Sequence, residues 1–128
     1  MFNTIKTSKE NKERVIQLTR KLNQGPENVI ARIAFAYSLG NERKMNLSDV
    51  PDSQGKEYTY KVLFGDYGDF YIAMLCVHYN IHISDKDLAR YVKMHIDDGL
   101  ELIDKEFKNF SGTGIDFLSQ KIKNGLTI

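Results

Sequence analysis

Two stretches of this chain are too apolar to lie on a surface. Nine of the eleven residues from Val29 to Leu39 are apolar, with Arg32 and Ser38 the exceptions. Phe70 to Val77 is apolar over eight consecutive residues. A helix that is apolar all round has to be covered on most sides, by its own core or by another subunit. A chain of 128 residues carrying two such helices is expected to form one mainly α domain over 1–128, with these helices central or shared between copies. A domain of this length buries roughly two-thirds of its unfolded surface, so it needs no staples. The single Cys76 excludes an internal disulfide and fits a reducing compartment. The start, Met1-Phe2-Asn3-Thr4-Ile5-Lys6, has no apolar signal core, and eight apolar residues fall short of a bilayer span. A cytoplasmic protein without a membrane segment is the expectation.

The remaining elements follow from caps and periodicity. Phe2–Lys6 is rich in strand formers and predicts a short strand or extended arm. Thr7-Ser8-Lys9-Glu10 has the form of a capping box, Thr7 with Glu10, opening a helix to about Leu22. Val15, Leu18 and Leu22 form its apolar stripe; Lys9, Lys12 and Arg20 fall on the other side, around Ile16. Asn23-Gln24-Gly25 stops this helix and Pro26 opens the second, which Gly40 should end. Asn41–Tyr60 is polar and predicts a long loop with one helical turn near Leu47–Val50. A third helix is expected from about Tyr67 to Tyr79. A fourth should run from about Asp85 to Phe107, capped by Ser84 and weakened at Gly99. A fifth should span Gly114 to Asn124, stopped by Gly125. The expected fold is about five helices with a short N-terminal strand.

Charge is uneven. The totals are 18 basic and 17 acidic residues, but residues 1–44 hold nine Lys/Arg and four acids, a balance of +5. The other 84 residues hold nine basic and thirteen acidic groups, −4. Such a dipolar chain can turn a basic face toward a polyanion; lysines that merely solvate a helix are the plainer reading.

Candidate chemistry is sparse. Cys76, His78 and His82 suggest a metal set, but no second cluster supplies the four ligands of a structural site, and His95 stands alone. Asp97, Asp98, Glu101 and Asp104 form an acidic stretch. The orders Glu101–Lys105 and Asp104–Lys108 suit i,i+4 ion pairs, so a solvated face, or pairing with a neighbouring subunit, is expected. Cys76 lies in an apolar run that should raise its pKa, against a nucleophilic role. No Walker A loop, dinucleotide glycine pattern or nucleophile elbow is present. Gly65-Asp66-Tyr67-Gly68 is a helix entrance. A non-catalytic chain without bound metal or cofactor is expected.

A short strand, a basic helix, a glycine turn and an apolar helix loosely follow the order of ribbon-helix-helix DNA binders, which lay strands in a DNA groove. The likeness is partial, since three further helices follow and the strand does not alternate cleanly.

Four stretches together carry a closer resemblance: Asn3-Thr4-Ile5-Lys6-Thr7-Ser8; Gly25-Pro26-Glu27-Asn28 with Val29-Ile30-Ala31-Arg32-Ile33-Ala34; Leu63-Phe64-Gly65-Asp66-Tyr67; and His95-Ile96-Asp97-Asp98-Gly99-Leu100. Over essentially its whole length the chain resembles the DndE family, the small E subunit of the bacterial Dnd system for DNA sulfur modification. None of these stretches is a catalytic signature.

The resemblance implies a part in DNA phosphorothioation, in which sulfur replaces a non-bridging phosphate oxygen. It also implies an all-helical, tetrameric DNA-binding subunit that prefers nicked duplex and works beside the other Dnd subunits, which carry the sulfur chemistry. It supplies no catalytic residue. The basic segment itself points to Lys6, Lys9, Lys12, Arg14, Arg20 and Lys21 as phosphate contacts, with Arg43 and Lys44 as a second group. The alternative is an adaptor that assembles the complex without touching DNA. If the N-terminal set fails, Lys56, Lys61, Lys121 and Lys123 are the next candidates.

Overall fold

A computed structural model describes residues 2–126. Met1 and 127–128, the ends of the 1–128 domain reading, lie outside the described residues. The helices are α1 (Lys9–Leu22), α2 (Glu27–Gly40), the short α3 (Tyr60–Phe64), α4 (Gly68–Tyr79), α5 (Leu88–Lys108) and α6 (Gly114–Leu126). Strands β1 (Thr4–Lys6) and β2 (Glu57–Thr59) pair antiparallel, with Thr4 opposite Thr59, Ile5 opposite Tyr58 and Lys6 opposite Glu57. The fold is mainly α, as the apolar helices require.

The centre is the α2–α5 pair. Gly99, in the middle of α5, faces the backbone of Ala34: a Cβ there would lie 1.9 Å from the Ala34 carbonyl oxygen. Gly99 therefore does not weaken α5, which runs unbroken through it. It lets two backbones touch. Around this contact lie Ile30 and Phe35 of α2, Val92, Ile96, Leu100 and Ile103 of α5, and Val15, Leu18 and Leu22 of α1, all buried. Each such side chain contributes about 1.5–3 kcal/mol by leaving water. An aromatic cluster extends the core toward α3 and α4: Phe35 meets Phe64 edge-on at 5.1 Å, and Phe64 stacks on Tyr71 at 4.9 Å. The expectation that Val29–Leu39 is central holds. α4 is covered on one side only, through Ile72 and Leu75.

Several local expectations change. Ser8, not Thr7, caps α1: its hydroxyl accepts from the Asn11 amide at 3.2 Å. Thr7 is buried and holds the loop, accepting at its Oγ1 from the Lys56 amide at 2.8 Å. The polar segment after α2 contains the predicted helical turn, a 3₁₀ turn at Leu47–Asp49, but also β2 and α3. β2, three residues inside a polar segment, carries too little periodicity to be read ahead of its pairing, whereas β1 lies where the strand formers of Phe2–Lys6 place it. α5 starts at Leu88 rather than Asp85, and Ser84 bonds to His82 instead of capping it. α6 continues through Gly125 to Leu126. The ribbon-helix-helix likeness ends at element order, because the partner of β1 is β2 of the same chain.

Candidate nucleic-acid interface

The basic helix α1 is bolted down by the acidic stretch of α5. Asp97 is 2 % exposed and uses both carboxylate oxygens. Oδ1 accepts from the Ser8 amide at 3.1 Å and from Asn11 Nδ2 at 2.7 Å, and Oδ2 accepts from Lys93 Nζ at 2.9 Å. One turn along α1, Arg14 donates to Asp104 Oδ2 at 3.2 Å and pairs with Glu10 at 3.0 Å and Glu101 at 3.8 Å. Lys108 completes the cluster on Asp104 at 3.2 Å. Asp97 and Asp104 are thus buried docking groups, and the expected solvated acidic face is corrected. Periodicity placed these acids on one helix, but only the approach of α1 buries them. Of the two expected i,i+4 pairs, Asp104–Lys108 forms, while Glu101 turns to Arg14. The entrance to α1 is held from the loop as well, where Asp52 accepts from the Lys9 amide at 2.8 Å.

This seam fixes the rotation of α1 and so decides which cations face out. Lys9, Lys12, Arg20 and Lys21 are exposed, as is Lys6 on β1. None of these five forms an ion pair with a described residue. Lys9, Lys12 and Arg20 lie around Ile16, opposite the buried stripe, and Lys9 and Arg20 are about 16 Å apart along the axis. Arg14 is not with them; its guanidinium holds α1 to α5. The fallback lysines are largely occupied: Lys56 pairs with Glu27 at 3.2 Å, Lys61 with Asp66 at 2.6 Å and Lys121 with Glu106 at 3.3 Å.

Arg43 and Lys44 sit elsewhere, on the loop after α2. Arg43 grips Asp98 through two bonds, at 2.8 and 3.1 Å. Lys44 reaches the His78 carbonyl and lies 5.1 Å over the Tyr79 ring. Beneath them runs a buried relay that nothing in the residue spacing announces. The Met45 amide donates to Tyr79 Oη at 2.9 Å, and Tyr79 Oη lies 2.5 Å from His95 Nε2. His95 Nδ1 lies 2.8 Å from Ser38 Oγ, which donates to Asp98 at 2.6 Å. One assignment satisfies every bond: Tyr79 donates to Nε2, and Nδ1–H donates to Ser38. Burial above all, with the nearby His78 adding to it, holds His95 down at about 4, so the ring is neutral. The order is unlike a serine nucleophile: Ser38 gives its proton to Asp98 rather than to histidine, and both Ser38 and His95 are fully buried. The relay pins the loop carrying Arg43 and Lys44.

The sequence-suggested metal set does not converge. His78 Nε2 faces the Arg43 carbonyl at 2.5 Å, His82 turns to Ser84, and Cys76 is half-buried on α4. Among the described residues no three His, Cys, Asp or Glu side chains gather where they could hold a metal. Burial, with Asp85 nearby, pushes the Cys76 thiol up, away from the reactive thiolate. No helix among the described residues is long and apolar enough to cross a membrane.

With this arrangement of α1 on α5 in view, comparison with known proteins is decisive about kinship. The family model described as DNA sulphur modification protein DndE matches residues 4–111. The chain belongs to the DndE family. The resemblance carried by the four sequence stretches is thereby established, though the match ends before α6, so it covers less than the whole chain. DndE from Escherichia coli B7A, described as involved in DNA phosphorothioation modification, has a crystal structure that aligns with a TM-score of 0.65 at 18% identity. That match covers 80% of this chain and 98% of the other. A glycine-to-lysine mutant of DndE aligns at a TM-score of 0.67, with the same identity and coverage. At this identity the structures show a shared fold. No curated protein matches. As a DndE-family member the chain is a component of the DNA sulphur modification machinery.

Proposed function

We propose that this chain is the non-catalytic DNA-binding subunit of a cytoplasmic DNA phosphorothioation complex, gripping duplex DNA by its phosphates. The carrying observation is the sorting of the N-terminal charges. Arg14 turns inward and is neutralised by Asp104, whereas Lys6, Lys9, Lys12, Arg20 and Lys21 stand exposed without acid partners among the described residues. Phosphate contacts are made by such groups and carry no sequence information, so binding is sequence-independent. A net charge of +1 is small for one copy, and a homo-oligomer, a tetramer by the family resemblance, gathers several strips on one assembly. Preference for nicked duplex also comes from the resemblance. It is physically reasonable because a nick lowers the cost of bending DNA onto a protein surface. The other Dnd subunits are the protein partners.

Gel shifts on intact, nicked and single-stranded DNA across a salt series test this. Lys9→Glu with Lys12→Glu should weaken binding strongly and lower the slope of log affinity against log salt by about two, one per lost phosphate contact. Helix content and assembly mass should not change. Unchanged affinity and slope in that variant would reject the α1 interface and favour the adaptor reading, which the exposed apolar face of α4 also suits.

A further inference from the structure

The family match ends at residue 111, and α6 begins beyond it, at Gly114. The alignments to the two DndE crystal structures likewise take up 98% of those chains but 80% of this one. The contacts of α6 are therefore not covered by membership of the family. Its start is firmly built: the Asp116 amide donates to Thr113 Oγ1 at 3.2 Å, and the Thr113 amide donates to Asp116 Oδ2 at 3.1 Å, a reciprocal cap. Gly114, buried beside that cap, presses on the last turn of α1. A Cβ there would lie 2.5 Å from Leu22 Cα and 2.6 Å from the Leu22 carbonyl oxygen. The positive end of one helix dipole thus meets the negative end of another. Phe117 is 2 % exposed and wedges edge-on against Phe107 at 5.2 Å and Phe110 at 5.3 Å. Further along, Lys121 reaches Glu106 at 3.3 Å and lies 5.2 Å over the Phe117 ring. Between these anchors α6 does not bed fully, and a hollow of about 580 Å³ opens between it and Ile33 and Ala36 of α2. The helix is held at points, as a strap is.

The end of α1 that this strap touches is the end that lacks other ties. Polar bonds to α5 hold its entrance and middle, through Ser8, Asn11 and Arg14. From Thr19 to Leu22 no side chain bonds to another helix among the described residues, and Thr19 Oγ1 turns back to the Val15 carbonyl at 2.7 Å. Beyond Arg14 the helix is held only by burial of Val15, Leu18 and Leu22 and by α6. Helix ends fray unless something packs on them. Yet Arg20 and Lys21, two of the exposed cations without acid partners, stand on this last turn. We infer that α6 is a strap that positions Arg20 and Lys21 for phosphate contact by holding the last turn of α1 through Gly114. The inference rests on the proposed function for its ligand, and deepens it by naming what fixes the far end of the cation strip.

Two variants of the full chain test it. Gly114→Ala adds one methyl group where α1 leaves no room for it. Lys121→Glu turns the far anchor into a repulsion with Glu106 without touching α1, and carries the same comparisons if Gly114→Ala does not fold. Amide hydrogen exchange, measured without DNA, should speed up about tenfold or more at Leu22 and Asn23 and stay unchanged at Val15. Gel shifts on nicked duplex across a salt series give the second readout. Arg20→Ala should lower the slope of log affinity against log salt by about one in the parent and by clearly less in the strap variants. Lys9→Ala should lower it equally in all backgrounds. Exchange that is unchanged at Leu22 and Asn23, or that rises evenly along α1, overturns the inference, since α6 then adds general stability at most. Equal slope losses for Arg20→Ala in all backgrounds overturn it as well. A parent that binds no DNA refutes the proposed function, and with it the phosphate role, even where exchange finds the strap in place, so the two failures read differently.

Discussion

α1 and α4 both lie against the central α2–α5 pair with one side free, yet the free sides are opposite in kind. α1 docks through apolar residues and a dense polar seam, and presents lysine and arginine to solvent. α4 docks through Ile72 and Leu75 and presents Tyr67, Phe70, Met74 and Val77. A charged free face is stable in water and, on the proposed function, is the one that meets a polyanion. An apolar free face is costly in water and asks for another protein surface. The difference shows how a near-neutral chain can serve two kinds of partner, with polar bonds used inward on α1 so that its cations point away.

The strongest way to break this comparison is to cut the seam under α1. Asp97→Ala removes the partner of buried Lys93 and the acceptor of Asn11 and the Ser8 amide. Breaking a buried pair from one side costs about 3–5 kcal/mol. Urea denaturation should show a loss of that order, with DNA binding falling as α1 loses its fixed rotation. A loss within experimental error would mean that apolar packing alone sets the rotation of α1.

The relay under the second basic group gives the next effect. His95 is held at about 4 against an ordinary 6.5. Between these values the unfolded chain binds the proton that the folded chain refuses, so stability rises with pH across this window. It is fully present above about 6.5 and lost as pH falls toward 4. The contribution is about 3 kcal/mol at most. Stability curves of the parent and His95→Gln at several pH values should diverge in slope across this window, the variant being flatter. Equal slopes would show that His95 is not held neutral by the fold.

Smaller changes sharpen the picture of α1. Ser8→Ala removes the hydroxyl that caps the helix and should cost about 1 kcal/mol by thermal or urea unfolding. The smallest effect is expected from Glu13→Gln, which removes an exposed acid beside Lys9, Lys12 and Arg20. It should tighten DNA binding a few-fold at low salt and hardly at all at high salt, because exposed charges are screened. A salt-independent change would place Glu13 in a role other than electrostatic.

Much of this molecule is legible in its residues alone. The stripe Val15–Leu18–Leu22 and the apolar run Val29–Leu39 determine the helices they lie on, the centrality of α2 and the outward placement of Lys9, Lys12 and Arg20. These are local properties, set by 3.6-residue periodicity and by the solubility of each face. Tertiary structure decided the rest, because each of these features depends on a neighbour distant along the chain. Arg14 and Lys9 look alike in the sequence, and only the approach of Asp104, ninety residues away, makes one a bolt and leaves the other free. The acids of α5 read as solvent-facing until α1 covers them. Ser38, Tyr79 and His95 carry no shared spacing and meet only where α2, α4 and α5 converge. β1 is announced by the strand formers of Phe2–Lys6, but β2 is too short to signal itself before it pairs. The uniform apolarity of α4 could not say which side would be covered. That was settled by how much core the other helices could offer it.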